Sequence, residues 1–260
     1  MKHSDLNLYK ENGDKIACLT AYDASMAKLI DKCGADVILI GDSLGMVVKG
    51  HKNTRSVTMQ DMLYHTEIVA NSCQQALVIA DMPFKSYESN ELALKNAQNL
   101  VNVGADMVKI EGGQEHKDVF RVFSLNKIKV CGHLGLQPQM VANSSEYKIQ
   151  GKDEHSAGII LSDALLLESL GVSAIVLECV PSALAKKVSS KLVIPTIGIG
   201  AGKDCDGQVL VSYDMLGITQ GKLPRFVRNF VDTEGMIPLA ISAFVKEVKA
   251  GSFPSTSESY

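Results

Sequence analysis

The 260-residue chain is 46% hydrophobic and 21% charged, the composition of a globular protein long enough to bury a large core. Its 26 basic and 29 acidic residues are well mixed and sum to a net charge of −3, which excludes the basic footprint of a nucleic-acid or anionic-membrane binder. No stretch approaches the about 18 apolar residues of a membrane span, and MKHSDLNLYKEN lacks the apolar core of a signal peptide, so a cytoplasmic protein is expected.

In chain order, MKHSDLNLYKENG (1–13) predicts a short extra helix ahead of a first strand at KIACLTAY (15–22). An amphipathic helix at 24–33 leads to the strand DVILIGD (36–42), and a long connection, SLGMVVKGHKNTRSVT (43–58), to a helix at 59–73 and the strand ALVIADM (76–82). A helix at 91–101, capped by Ser89 or Asn90 and stopped by Gly104, precedes the strand DMVKIEG (106–112). Residues 114–125 have poor apolar periodicity as a helix; the strand IKVCGHLG (128–135) and a second long connection (136–155) follow. Then come a helix at 156–170, the strand SAIVLEC (173–179), a helix at 182–188 and the strand IPTIGIG (194–200). A gap too short for a full helix separates this from QVLVSYD (208–214). The six cysteines are scattered without C-x-x-C pairs and read as small core hydrophobes.

A helix, Gly-Ala or Gly-Val, strand sequence recurs in CGADVILI, VGADMVKI and LGVSAIVL, where glycine supplies the left-handed end of a helix before a parallel strand. Eight such βα units in about 250 residues predict a single α/β domain, a (β/α)8 TIM barrel over 1–250 with a short N-terminal helix. GSFPSTSESY (251–260) is expected to be a disordered tail. Loops as long as 43–58 and 136–155, at one end of a barrel, are candidate lids.

Barrel active sites form at the carboxyl ends of the strands, and there the predicted strands carry Asp42, Asp81, Glu111 and Glu178. Any one of them is equally explained as a helix cap or a salt-bridge partner. Three acids on adjacent strands repel one another unless a cation lies between them, which points to a metal. Oxygen-only ligation, with no suitably spaced His or Cys pair, favours Mg²⁺ or a similar hard ion over zinc. Lys109 and Glu111, two apart on one strand, point the same way, so Lys109 either neutralises the surplus acids or holds a substrate anion. His133 is equally a substrate contact or a satisfied core histidine, and IGIGAG (197–202) either approaches a phosphate or permits a tight turn.

The segments TAYDASMAKL, GDSLGMVVKGHKNT, VTMQDMLYHT, ADMPFKSY, NAQNLVNVGADMVKIEGG, VCGHLGLQPQ, YKIQGK, LECVP, IPTIGIGAG and CDGQVLVSYDMLGI run in order from about residue 15 to 230. Together they resemble the ketopantoate hydroxymethyltransferase (3-methyl-2-oxobutanoate hydroxymethyltransferase) family of pantothenate biosynthesis. The resemblance implies a (β/α)8 barrel with Mg²⁺ on Asp42, Asp81 and Glu111. It further implies 2-oxo acid contacts from Ser43, Lys109 and His133, with Asp42 and Asp81 also close to the substrate, and Glu178 as the catalytic base. The implied reaction transfers a hydroxymethyl group from 5,10-methylenetetrahydrofolate, as co-substrate, to 3-methyl-2-oxobutanoate through a Mg-stabilised enolate, giving ketopantoate. A homodecamer of two stacked pentameric rings is implied as well. One departure is SSEYKIQGK (144–152), where the family commonly has two glycines before the Tyr-Lys.

Two rival readings stay open at this stage. One is a Mg²⁺-dependent carbon-carbon lyase of the phosphoenolpyruvate mutase and isocitrate lyase type, recognisable by activity without folate. The other is a non-catalytic barrel that binds a metabolite near IGIGAG, recognisable by failure of deuterium exchange into bound 2-oxo acid.

Overall fold

The computed structural model describes residues 6–142 and 147–260. Eight parallel strands, β1 (Ile16–Thr20), β2 (Val37–Ile40), β3 (Leu77–Asp81), β4 (Met107–Glu111), β5 (Val130–Gly135), β6 (Ala174–Glu178), β7 (Thr196–Ile199) and β8 (Gly207–Leu210), close in sequence order into a barrel. The helices among the described residues are α1 (Asn7–Asn12), α2 (Ala24–Lys32), α3 (Leu44–Val47), α4 (Met59–Ala70), α5 (Asn90–Asn102), α6 (Lys117–Leu125), α7 (Glu154–Ser169), α8 (Ser182–Lys191), α9 (Ser212–Met215), α10 (Val231–Glu234) and α11 (Ile237–Lys249).

Each strand is buried on both faces, which is why it reads as a near-continuous apolar run. Inward residues (Ile16, Cys18, Val37, Leu39, Leu77, Ile79, Met107, Cys131, Ala174, Val176) fill the barrel, and alternate ones, such as Leu19, Ile38, Val78, Val108 and Ile175, pack under the helices. Local caps set the helix starts: Asp23 accepts from the Ser25 and Met26 amides, Ser89 from Leu92, and Asp153 from Ser156. At α4, Thr58 and Asp61 cap each other reciprocally, and Lys49 pairs with Asp61 at 2.7 Å.

The amino ends of the strands have their own acids, used for construction. Asp36 accepts from the Ala17 amide and the Tyr9 hydroxyl, and Asp206 from Thr196 and Lys10. Through Tyr9 and Lys10, α1 docks beneath the barrel, where Leu6 is buried against the inward layer. This is the helix expected within residues 1–13; residues 1–5 lie outside the described residues.

Three expectations change. The last strand ends at Leu210 rather than 214, because the Ser212 amide turns to bond the Thr20 hydroxyl and the chain enters α9. Residues 114–125 form a 3₁₀ turn, Gln114–His116, followed by α6, whose Val119, Phe120 and Phe123 make one buried face. The sequence looked irregular because two helical periods adjoin there. Residues 251–260 are packed instead of disordered. Phe253 is buried against Phe230 and Phe244, and Arg228 holds Glu258 through two bonds (2.6 and 2.8 Å) and Glu247 through a third (2.7 Å).

Candidate active site

Strand alternation brings the predicted residues to one mouth. Asp81 follows Leu77 and Ile79 on the inner face of β3, Lys109 and Glu111 follow Met107 on β4, His133 follows Cys131 on β5, and Glu178 follows Ala174 and Val176 on β6. Register then pairs them: Asp81 is opposite Lys109, and Glu111 opposite His133. Asp42 stands two residues past β2, its amide donating to Asp81 Oδ2 at 3.0 Å. Asp42, Asp81, Lys109, Glu111 and His133 are all 3–5% exposed.

Lys109 Nζ lies 2.8 Å from Asp81 Oδ1 and 3.3 Å from His133 Nδ1. His133 Nε2 is 3.0 Å from Glu178 Oε2, a short contact that is poorly aligned for a hydrogen bond, and Nδ1 is 3.5 Å from Glu111 Oε1. His133 thus links the two carboxylates. Glu178, with a side chain 13% exposed, is the wettest of the group. Ser43, next to Asp42, shares a 2.9 Å hydrogen bond with the Tyr22 hydroxyl.

Burial and the neighbouring Asp81 and Glu111 push the Asp42 carboxyl well above its ordinary pKa, with Lys109 and Gln139 partly opposing. Burial alone drives the Lys109 ammonium down, but Asp81, Glu111 and Asp42 outweigh it and hold the lysine charged. For His133, burial and Lys109 act downward and Glu111 and Glu178 upward; the carboxylates prevail and raise it to about 9.

Sequence reasoning missed Gln139, which is 2% exposed and lies in the 3₁₀ turn Pro138–Met140 of the loop after β5. Its Nε2 donates to Asp42 Oδ2 (2.9 Å) and the Met82 carbonyl (3.0 Å), its backbone amide donates to Glu111 Oε2 (3.0 Å), and its Oε1 accepts from the Tyr87 hydroxyl (2.7 Å). The only available signal was its place in a long loop beside the acid-bearing strands. A cleft of about 310 Å³ opens beside Glu111 and Gln139, with Phe84, Tyr87, His116 and Met140 in its wall. The two candidate lids touch, the Asn53 side chain donating to the Ala142 carbonyl at 2.8 Å. Ser144, Ser145 and Glu146 of the departing segment lie outside the described residues.

At the end of β7 the glycines serve packing: a Cβ on Gly200 would strike Phe226 and Tyr260, and one on Gly202 would strike Ser182. Both have positive φ (60° and 81°), as a tight turn requires.

The donor set suits a hard dication. Four carboxylates face one ammonium and one imidazole, every acid oxygen is a hard ligand, and buried Asp81 Oδ1 has no aligned hydrogen-bond donor. Among the described residues no three His, Cys, Asp or Glu side chains are already gathered at ligand spacing, and Lys109, Gln139 and the Asp42 amide engage the acids instead.

A closed eight-stranded parallel barrel with its polar groups at the carboxyl rim sets the chain among the TIM-barrel enzymes. Residues 1–256 match the sequence model of the family described as ketopantoate hydroxymethyltransferase, and the chain belongs to that family. A relative in Ruthia magnifica subsp. Calyptogena magnifica, named 3-methyl-2-oxobutanoate hydroxymethyltransferase, is 57% identical over 255 residues, covering 98% of each chain. One of the same name in Methylobacillus flagellatus is 52% identical over 256 residues, again 98% of each. Among solved structures, 2,3-dimethylmalate lyase, a member of the PEP mutase/isocitrate lyase superfamily, aligns with a TM-score of 0.60 at 16% identity over 84% of this chain and 83% of that one. Phosphonopyruvate hydrolase, solved with oxalate and Mg²⁺, gives 0.63 at 12% identity over 81% of each chain. At such identities the likeness is one of fold.

Proposed function

We propose that the chain transfers a hydroxymethyl group from 5,10-methylenetetrahydrofolate to 3-methyl-2-oxobutanoate, forming ketopantoate for pantothenate and coenzyme A synthesis. The observation that carries this is the inward cluster Asp42, Asp81, Lys109, Glu111, His133 and Glu178 on a chain of this family. Asp42, Asp81 and Glu111 would hold Mg²⁺. When bound, Mg²⁺ supplies Lewis-acid polarisation of the substrate's 2-oxo group, which acidifies the C3 hydrogen.

Glu178 takes the C3 proton, with His133 Nε2 beside it at 3.0 Å from Oε2. Its greater exposure separates Glu178 from the three acids assigned to the metal. Lys109, kept charged by Asp81, presents a cation to the negative charge that develops as the proton leaves. Ser43 and His133 complete the contacts to the 2-oxo acid, and the buried walls around them exclude bulk water. With the proton on Glu178, C3 is the nucleophile toward the methylene carbon of the folate, whose own chemistry supplies the electrophile; the new carbon-carbon bond and a hydroxyl from water replace that carbon's two bonds to folate nitrogens, and tetrahydrofolate leaves.

A cytoplasmic location and assembly as a homodecamer belong to the same reading. Cys18, Cys131, Cys179 and Cys205 are buried thiols, as a reducing compartment allows, and among the described residues no helix is long and apolar enough to cross a membrane. Purified chain supplied with Mg²⁺, 3-methyl-2-oxobutanoate and methylenetetrahydrofolate should form ketopantoate, and omitting the folate should abolish it. Cleavage of a 2-oxo acid without folate would favour a lyase.

A further inference from the structure

We propose that Gln139 is the positioning residue of the metal site, an inference that rests on the reading of Asp42, Asp81 and Glu111 as cation ligands. Those acids stand on or just beyond β2, β3 and β4, and Gln139 bonds two of them, Asp42 through its side chain and Glu111 through its backbone amide, as well as the Met82 carbonyl next to Asp81. It ties one oxygen of Asp42 (Oδ2) and one of Glu111 (Oε2). Gln139 does not bond the other oxygen of either acid, Asp42 Oδ1 or Glu111 Oε1, and Glu111 Oε1 lies 3.5 Å from His133 Nδ1. This division of each carboxylate, one oxygen held by the protein and one left for a cation, is how outer groups orient ligands.

The amide is itself fixed in one orientation. The Met82 carbonyl can only accept, so Nε2 must face it, and the Tyr87 hydroxyl donates to Oε1 on the other side. Both hydrogens of the Gln139 side-chain amide and its oxygen are therefore engaged, and its bonds reach toward the acid-bearing strands from a loop outside the barrel. A residue that merely anchored its loop would need none of the carboxylate bonds; Asn53, which anchors the same loop at Ala142, makes none.

The test measures Mn²⁺ affinity, by electron paramagnetic resonance of free Mn²⁺ and by calorimetry, alongside thermal melting without metal. Gln139→Met, similar in shape but without the amide, should weaken Mn²⁺ binding about 10- to 100-fold. Tyr87→Phe, which removes the donor to Gln139 Oε1 and so loosens the amide against Asp42 and Met82, should weaken it several-fold. Asn53→Ala, which loosens the loop, should leave affinity unchanged. Wild-type affinity in Gln139→Met or in Tyr87→Phe overturns the proposal, as does an equal loss in Asn53→Ala; the Tyr87 variant decides the matter if Gln139→Met does not fold. Failure of wild type to bind Mn²⁺ refutes the metal reading itself, a result separable from normal binding that is indifferent to Gln139.

Discussion

At the scale of the residue, the informative feature is a charged pair inside an apolar strand. Met107, Lys109 and Glu111 share the inward parity of β4, so the lysine and glutamate occupy the top of the same stack that the methionine fills below. The same parity carries Asp81, His133 and Glu178, which is why period-two reading found them from sequence. Gln139 escaped because a glutamine in a loop has no period, and its significance lies entirely in what it reaches. The ligand assignment predicts that Asp81→Ala lowers Mg²⁺ affinity more than tenfold by calorimetry; unchanged affinity would remove Asp81 from the ligand set. The same variant leaves Lys109 buried without its ion-pair partner, so it should also lose about 3–5 kcal/mol of stability, read by denaturant titration.

At the scale of the element, caps and clamps carry the predictions. Burial acts to raise the Asp61 carboxyl, but the Lys49 ammonium and the Thr58 amide and hydroxyl overcome it and bring its pKa down to about 2. A carboxyl depressed by folding stabilises the native state above its unfolded pKa and loses that contribution as pH falls from about 4 toward about 2. Asp61→Asn should therefore cost about 1 kcal/mol near pH 7 and flatten the acid limb of stability between those pH values. An acid limb identical to wild type would contradict this. At the other end, Arg228 forks across Glu258 and Glu247 and lies 5.0 Å from the Phe230 ring and 5.2 Å from the Phe253 ring. Arg228→Lys keeps the charge and loses the fork, so amide hydrogen exchange should quicken at Ser255 and Glu258, which close a reciprocal cap, with no change in α4. The tail looked disordered in sequence because its small polar residues hide one anchor, Phe253, and a salt bridge to a residue 30 positions away.

At the scale of the whole molecule, the barrel was legible because parallel strands buried on both faces leave unbroken apolar runs, and Gly-Ala-Asp turns repeat where helices hand over to strands. The repeated aspartates support the amino ends of the strands through Asp36 and Asp106, while the acids that end strands gather at the opposite mouth. Two sets of similar residues are thus separated by position in the fold: one builds the amino end of the barrel, the other gathers at its carboxyl mouth. What the sequence could not convey was contact across the rim, such as His133 standing between Glu111 and Glu178. We propose that this rim removes the C3 proton of a 2-oxo acid through Glu178. This is tested by proton magnetic resonance of 3-methyl-2-oxobutanoate in D₂O with Mg²⁺ and no folate. Wild type should replace the C3 hydrogen with deuterium, and Glu178→Gln should bind the acid but not exchange it; exchange at the wild-type rate in that variant would contradict the account.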